Sequence, residues 1–280
     1  MREISCKDIT EAVKRLSIES NCFLNSDIYN ALKEAKTKET SPVGLEFLDQ
    51  LIENADIASK NIKPICQDTG VAVIFIEMGQ EVHITDGYLT DAVNEGVRQG
   101  YIEGYLRKSV VRDPILRKNT NDNTPAIIHY NIVEGDSFKI TVAPKGIGSE
   151  NMSKIFMLKP SDGIEGIKKA VLDTVEEAGP NPCPPVIVGV GIGGNFEKCA
   201  LIAKEALLRK VGENNPLPHI AQLEKELLEE VNKLGIGPQG LGGKTTALAV
   251  NIEVYPTHIG GMPVAINIGC HVTRHAQASL

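Results

Sequence analysis

Apolar residues follow two different spacings along this chain, and the change falls near residue 60. Before that point they recur every three or four residues, as at Ile9 and Val13, which is the period of an amphipathic helix. Ser41 followed by Pro42 is typical of a helix start, with the hydroxyl as N-cap and proline at the first helical position. The pattern therefore predicts a helical lead-in over residues 1–60.

Short runs of β-branched residues appear after the lead-in and indicate strands. Val71–Ile76 and Val186–Val190 are apolar runs with the length of a buried strand. Further strands are predicted near 126–133, 137–143, 245–254 and 263–268, and helices near 88–104, 164–175, 196–210 and 216–234. We therefore expect a mixed α/β (α+β) fold in one domain over residues 1–280, with the helical lead-in packed on a mixed sheet core in 61–280.

The composition argues against several classes of protein. The formal net charge of -7 disfavours nucleic acid or an anionic membrane as a partner. No apolar run approaches the roughly 20 residues that cross a bilayer. The N-terminal MREISCKDITEAVKRL lacks the apolar stretch of a secretory signal. We expect a cytoplasmic protein, in which the six cysteines stay reduced.

Three of the cysteines fit ordinary packing. Cys6 and Cys22 lie in the helical lead-in, without glycine or proline beside them. Cys199 lies on a predicted helix, in phase with apolar neighbours. We predict that these three thiols are buried in the core.

The other three cysteines share a setting that is typical of ligand-binding loops. Cys66 in KPICQDTG and Cys183 in GPNPCPPV each precede a predicted strand, and Cys270 in NIGCHVTRH follows one. No CxxC pair is present, so zinc-ribbon and ferredoxin patterns are absent, and spacing alone favours packing. Three thiolates on a [4Fe–4S] cluster would leave one iron free to act as a Lewis acid.

The motifs around these cysteines resemble those of the class I iron–sulfur fumarate hydratases. ICQDTG at 65–70, NPCPP at 181–185 and the late Cys270 carry the resemblance, which extends over nearly the whole chain. More narrowly, the chain is similar to the alpha subunit of the two-subunit enzymes, which include the L-tartrate dehydratases. The resemblance implies a [4Fe–4S] cluster held by Cys66, Cys183 and Cys270. It also implies reversible hydration of fumarate to L-malate, with dehydration of L-tartrate as the alternative.

The same resemblance implies a set of residues that contact substrate. Gln67 and Asp68, directly after the first cluster ligand, match the family's substrate-contacting pair, and Asp68 would take part in proton transfer. Without the resemblance, Asp68 followed by Thr-Gly would be read as turn chemistry. Arg107 in GYLRKSV matches an arginine that binds a substrate carboxylate, as a guanidinium does bidentately.

A lysine- and glycine-containing loop and a histidine complete the implied site. PKGIGSEN at 144–151 contains Lys145, Gly146 and Gly148, whose backbone N–H groups would hold a carboxylate. Ile147 departs from the more glycine-rich loop of the family. His258 in YPTHIGG matches the family's active-site histidine and would act as a base paired with a carboxylate such as Asp68.

The resemblance also implies a partner. Single-chain relatives continue into a second domain that supplies further cationic and hydroxyl groups, whereas this chain ends ten residues after Cys270. We therefore expect a separate beta subunit, in a heterotetramer or larger assembly, and a small dicarboxylic acid as substrate. His271, Arg274 and His275 would be supporting groups or simply a polar tail.

Two other functions remain open from the residues. An iron–sulfur redox or iron sensor would use the cluster as a switch and would need no substrate-binding residues. A nucleotide-binding protein would use GVGIGG and IGPQGLGG as phosphate loops, although neither string forms a GxGxxG or P-loop pattern with the right lysine.

Overall fold

The computed structural model describes residues 2–280 and confirms the predicted mixed α/β class. The helices are α1 (Cys6–Cys22), α2 (Ser26–Lys38), α3 (Pro42–Asn61), α4 (Leu89–Glu103), α5 (Ile147–Glu150), α6 (Gly163–Ala178), α7 (Phe196–Ala206) and α8 (Pro218–Lys233). The strands are β1 (Arg2–Ser5), β2 (Val71–Gly79), β3 (Val82–Thr85), β4 (Ile127–Val133), β5 (Phe138–Lys145), β6 (Lys154–Leu158), β7 (Val186–Gly193), β8 (Ala247–Tyr255), β9 (Met262–Gly269) and β10 (Ala276–Ser279). Two short 3-10 helices lie at Pro160–Asp162 and Pro238–Gly240.

The helical lead-in is confirmed except at its first residues. Helix α3 begins at Pro42 as predicted, and the Gly44 N–H donates to the Ser41 hydroxyl over 3.2 Å. Arg2–Ser5 forms β1 instead of helix and pairs with β3. Ser5 caps α1 by accepting from the Asp8 N–H over 3.1 Å, so the helix starts only at the next residue.

The chain divides into two compact units. Unit 1 contains residues 2–24, 55–147 and 274–280, and unit 2 contains residues 25–54 and 148–273. The helical lead-in is therefore shared between the two units. Its assignment with the rest of the chain to a single domain stays a prediction. Among residues 2–280, no helix combines the length and the apolar character needed to cross a membrane.

Unit 1 is built on a four-stranded sheet in the order β10-β5-β2-β4. Helices α1 and α4 pack on each other, and their apolar faces join the inner side chains of β2 and β5 in one core. Strand β5 runs antiparallel to β2, with Val71 opposite Lys145. The loop that enters β2 and the loop that leaves β5 therefore lie at the same end of the sheet.

Unit 2 is built on a second four-stranded sheet, in the order β6-β9-β7-β8. Val186, Val188 and Val190 on β7 contribute to the core with α6 and α8. Gly189 and Gly191 of GVGIGG face α7 instead. A β-carbon placed on Gly191 would lie 2.0 Å from the carbonyl oxygen of Cys199. These glycines therefore permit close helix–strand packing, which argues against the phosphate-loop interpretation of GVGIGG.

The strand directions in unit 2 fix which loops share an end of the sheet. Strand β9 runs antiparallel to β7 with Gly269 opposite Ile187, so Cys183 and Cys270 both lie at the amino end of β7. Strand β8 runs parallel to β7 with Tyr255 opposite Gly193. The loop that follows β8 therefore lies at the carboxyl end of β7.

The three cysteines that were predicted to pack in the core do so. Cys6 is 9% exposed, and Cys22 and Cys199 are fully buried. Burial raises the pKa of all three thiols. A buried thiol with a raised pKa stays protonated and inert near neutral pH.

Candidate functional site

The Asp68 carboxylate is anchored by backbone donors in the loop that enters β2. Its Oδ1 accepts from the Gly70 N–H over 3.0 Å, and its Oδ2 accepts from the Ile147 N–H over 2.8 Å. Asp68 does cap its own turn, and it also joins the loop that follows β5. An ionised carboxylate has about four acceptor positions, so acceptor capacity remains for a ligand.

Cys66 and Gln67 lie directly before this carboxylate. Cys66 is half-buried and Gln67 is exposed. The Asp68 N–H is directed at the Cys66 Sγ over 3.4 Å. A donor directed at sulfur stabilises negative charge there, which suits a thiolate ligand.

Arg107 is fixed beside Asp68 through a buried threonine. The Thr69 hydroxyl accepts from the Arg107 N–H over 2.9 Å and donates to the Arg107 carbonyl oxygen over 3.3 Å. Thr69 is buried, whereas the side chain of Arg107 is exposed. The structure therefore holds the Arg107 backbone next to the Asp68 loop and leaves the guanidinium free to meet an anion.

Lys145 and Gly146 leave the sheet at the same end as the Asp68 loop. Lys145 is 8% exposed and ends β5. Gly70 has a φ of 70°, and a β-carbon on it would lie 2.5 Å from the Lys145 carbonyl oxygen, so only glycine fits there. A β-carbon on Gly146 would lie 3.3 Å from the Asp68 Oδ2. Unit 1 thus brings together six of the predicted residues: Cys66, Gln67, Asp68, Arg107, Lys145 and Gly146.

In unit 2 the structure brings Cys183 and Cys270 together. The ring Nδ1–H of His271 donates to the Cys183 carbonyl oxygen over 2.9 Å, and His271 directly follows Cys270. Cys183 is exposed and has a φ of 55°, a left-handed conformation that costs a non-glycine residue about 1–2 kcal/mol. Such strain is typical of functional loops.

The IGPQGLGG loop supports the Cys183 turn. The backbone N–H and the side-chain amide of Gln239 both donate to the Pro184 carbonyl oxygen over 2.8 Å. Gly148 lies near the same turn, since a β-carbon on it would be 3.7 Å from the Asn181 carbonyl oxygen. Unit 2 thus gathers Gly148, Cys183 and Cys270, with Gln239 and His271 holding the turn.

His258 lies at the opposite end of the unit 2 sheet. It is exposed, its Nδ1 accepts from the Gly260 N–H over 3.1 Å, and it follows β8 at the carboxyl end of β7. The seven steps from Val186 to Gly193 span about 23 Å at about 3.3 Å per residue. Within one chain, the structure therefore does not bring His258 to Cys183 and Cys270.

Arg274 is a part of the site that sequence reasoning undervalued. Of the two roles expected for it, a supporting group or part of a polar tail, its exposure of only 4% favours the first. Its Nη2 donates to the Asp68 carbonyl oxygen over 2.9 Å and to the Asn21 Oδ1 over 3.1 Å. The one available signal was its position four residues after Cys270.

Two further buried polar side chains bind the backbone of the Asp68 loop. The Tyr101 hydroxyl donates to the Thr69 carbonyl oxygen over 2.8 Å, and burial raises the Tyr101 pKa, so the hydroxyl remains a donor. The Asn123 amide donates to the Gly70 carbonyl oxygen over 3.1 Å. Asn123 ends a polar run, 119–123, that would ordinarily lie at the surface, but it is fully buried and its amide satisfies backbone groups.

The donor chemistry of the three loop cysteines fits an iron–sulfur cluster. Cys66, Cys183 and Cys270 form no disulfide, and all three are more accessible than the three buried cysteines. Cys66 belongs to unit 1, and Cys183 and Cys270 belong to unit 2. Among residues 2–280, no three His, Cys, Asp or Glu side chains are arranged around a single metal position.

Comparison with known proteins shows the class to which this chain belongs. The family described as fumarate hydratase (Fumerase) matches residues 10–279. The chain therefore belongs to the fumarate hydratase family, as the resemblance in the sequence implied.

Individual relatives cover nearly the same length. A protein of Methanocaldococcus jannaschii named "Putative L(+)-tartrate dehydratase subunit alpha" is 44% identical over 274 residues, which cover 96% of each chain. The L(+)-tartrate dehydratase subunits alpha of Escherichia coli O157:H7 and of Escherichia coli strain K12 are each 33% identical over 269 residues, covering 95% of this chain and 88% of theirs.

Proposed function

We propose that this chain is the alpha subunit of an iron–sulfur hydro-lyase that interconverts fumarate and L-malate together with a beta subunit. Family membership and the names of the relatives support a hydro-lyase subunit. The observation that carries the chemistry is the Asp68 carboxylate, which the N–H groups of two backbone residues hold in place. Asp68 follows Cys66 by two residues, and the next residue, Thr69, binds the backbone of Arg107.

Cys66, Cys183 and Cys270 would hold a [4Fe–4S] cluster, which supplies an open iron as a Lewis acid for the substrate hydroxyl when bound. The Asp68 N–H directed at Cys66 and the His271 contact with Cys183 would orient two of these ligands. A sensor would need no groups beyond the ligands. The exposed side chain of Arg107, whose backbone is bonded to Thr69 directly after Asp68, favours a substrate site instead.

Substrate binding requires donors for two carboxylates. The Arg107 guanidinium can hold one of them bidentately. Gln67 and the loop of Lys145, Gly146 and Gly148 supply side-chain and backbone donors for the remaining oxygens. The beta subunit would add the further positive charge that a dianion requires.

Asp68 would take up the proton that leaves carbon when malate is dehydrated. Its anchored carboxylate is held in one orientation, as a general base must be. His258 would assist from a second copy of the chain, because it lies about 23 Å along the sheet from its own Cys183 and Cys270.

L-tartrate is the second candidate substrate, and the names of the relatives favour it. Malate and tartrate differ by one hydroxyl. The ratio of kcat/KM for the two substrates, measured on the anaerobic complex with its beta subunit, decides between them.

Replacing Asp68 by Asn tests the proposal. We expect kcat to fall by about 10²–10⁴-fold, because the amide cannot take up the proton. Iron and labile sulfide per chain, measured anaerobically, should stay as in the parent complex.

Asp122→Asn is the matched control. Asp122 accepts from the Thr124 N–H over 3.0 Å, the same kind of turn contact that Asp68 makes with Gly70. It should keep full activity. An Asp68→Asn complex that turns over either substrate at the parent rate would refute the assigned role.

A further inference from the structure

A basic hairpin with an apolar tip projects from unit 1 between α4 and β4. Residues 107–118 contain five cationic side chains and one carboxylate, which gives the hairpin a net charge of +4. Because the net charge of the whole chain is -7, the remaining residues together carry a net charge of -11. At the tip, Ile115 and Leu116 are 84% and 81% exposed. Single exposed aliphatic residues are ordinary, but an adjacent pair on a charged projection is typical of an interaction surface.

The tip is ordered by hydrogen bonds and not by packing. The Arg112 N–H donates to the Lys118 carbonyl oxygen over 2.8 Å and closes the hairpin. The Asp113 Oδ1 accepts from the N–H groups of Ile115 and Leu116 over 2.8 and 2.6 Å. The two aliphatic side chains are therefore held in solvent by a preorganised turn, which lowers the entropy lost on binding.

The base of the hairpin is joined to the candidate site. The buried Asn123 Oδ1 accepts from the Ser109 N–H over 2.7 Å and from the Val110 N–H over 3.2 Å. The same amide donates to the carbonyl oxygen of Gly70, two residues after Asp68. A partner that seats on the tip is thereby coupled through one side chain to the loop that carries Asp68.

We propose that Ile115 and Leu116 dock into the beta subunit, in an apolar recess that is edged with carboxylates. The inference rests on the proposed function, because the partner is the second subunit of that enzyme. The exposed cations Arg112, Arg117 and Lys118 surround the aliphatic pair and specify the acidic edge by charge complementarity.

Other occupants fit the tip less well. An anionic membrane would be repelled by the acidic remainder of the chain. A second copy would have to offer an acidic recess, and none of three surface depressions within the described units has an excess of carboxylates. The charged residues that line them are Glu34, Glu213 and the buried Glu224 with Lys38, Lys225 and Lys244; Glu19 with Lys14 and Arg15; and Lys198 alone.

The test is the affinity of the purified beta subunit for cluster-loaded variants of this chain. The double variant Ile115→Ser/Leu116→Ser should bind about a hundredfold more weakly, a factor of about ten for each side chain that no longer becomes buried. Its thermal unfolding and iron content should match the parent chain. The control Met157→Ser/Ile164→Ser removes two other exposed apolar side chains, 61% and 59% exposed, and should bind within twofold of the parent.

A charge-reversed variant tests the acidic edge separately. Arg117→Glu/Lys118→Glu should lower the association rate constant and remove most of its dependence on salt. Parent-like affinity of the serine variant, or an association rate unaffected by charge reversal, would overturn the proposal. So would self-association of the chain through the tip, or binding of the tip to anionic phosphatidylserine vesicles.

Failure of the docking surface and failure of the proposed function give different results. A complex that assembles through the tip but turns over neither malate nor tartrate would support the docking surface and contradict the proposed function. A complex that turns over either substrate and assembles equally well with the serine variant would support the proposed function and contradict the docking surface.

Discussion

The loop that carries Asp68 is held by buried side chains that lie outside the ICQDTG motif. Arg274 and Tyr101 each donate to a carbonyl oxygen of that loop from a buried position. The sequence identifies the loop through its glycine and its neighbours Cys66 and Asp68. It left open whether Arg274 supports the site, because such an arginine is ordinarily exposed and its partners Asp68 and Asn21 lie 206 and 253 residues away in sequence.

Removing the Arg274 guanidinium should loosen this loop. We expect Arg274→Met to lower the free energy of unfolding by about 2–4 kcal/mol, because buried acceptors lose a charged donor. We also expect kcat/KM to fall at least about tenfold, mainly through KM, since Asp68 and Gln67 lose their fixed position. Arg274→Lys, which keeps one donor, should recover part of both losses. Denaturant titration and steady-state kinetics measure the two effects.

Arg98 supplies the control for this substitution. It forms an ion pair with Glu95 at the surface, and its side chain is 41% exposed. Arg98→Met should cost less than about 1 kcal/mol and leave KM unchanged. A parent-like KM for Arg274→Met would show that the arginine stabilises the fold without positioning the loop.

At the scale of helices and strands, the hydrophobic pattern predicted most elements and missed the short ones. Strands β3 and β10 have four residues each and are at most half-buried on average, so no apolar run marks them. Strand β6 does contain a four-residue apolar run, IFML, and was missed because a run that short is weak evidence for a strand. Long elements such as α4 and β7 were found because their periodicity extends over several turns or a buried run. The strand was predicted to end at Val190, with GVGIGG left open as a phosphate loop, but β7 continues to Gly193 and the close approach of α7 requires Gly189 and Gly191 within the strand.

Gly191 should therefore be intolerant of even a methyl group. We expect Gly191→Ala to lower the free energy of unfolding by about 3 kcal/mol, because its β-carbon would lie 2.0 Å from the Cys199 carbonyl oxygen and the helix must move. Gly261→Ala is the control, since no atom lies within 4 Å of its β-carbon, and it should stay within about 0.5 kcal/mol of the parent. Equal stability of the two variants in urea titrations would contradict the packing argument.

At the scale of the whole molecule, the predicted site residues fall into two compact units and, within unit 2, at two ends of one sheet. The motifs identify these residues, but they do not show which unit or which end of a sheet each residue occupies. That placement depends on strand order, and strand order depends on contacts between distant segments. Only the pairing of β7 with β8 and β9 shows that His258 and the Cys183–Cys270 pair point to opposite ends. A symmetric assembly can bring such ends together, since each copy then lends a residue to the other.

Mixing two inactive variants tests whether His258 acts across copies. Asp68→Asn and His258→Asn complexes should each lose at least about a hundredfold in kcat. If each site takes Asp68 from one copy and His258 from another, a mixed pair contains one intact site and one doubly altered site. Random exchange in a two-fold assembly should then restore about a quarter of the parent activity. If both residues act within one chain, no mixed pair contains an intact site, and activity stays at the level of the separate variants. Because subunit exchange is a precondition, light scattering or native mass spectrometry of tagged copies should first confirm that mixed pairs form.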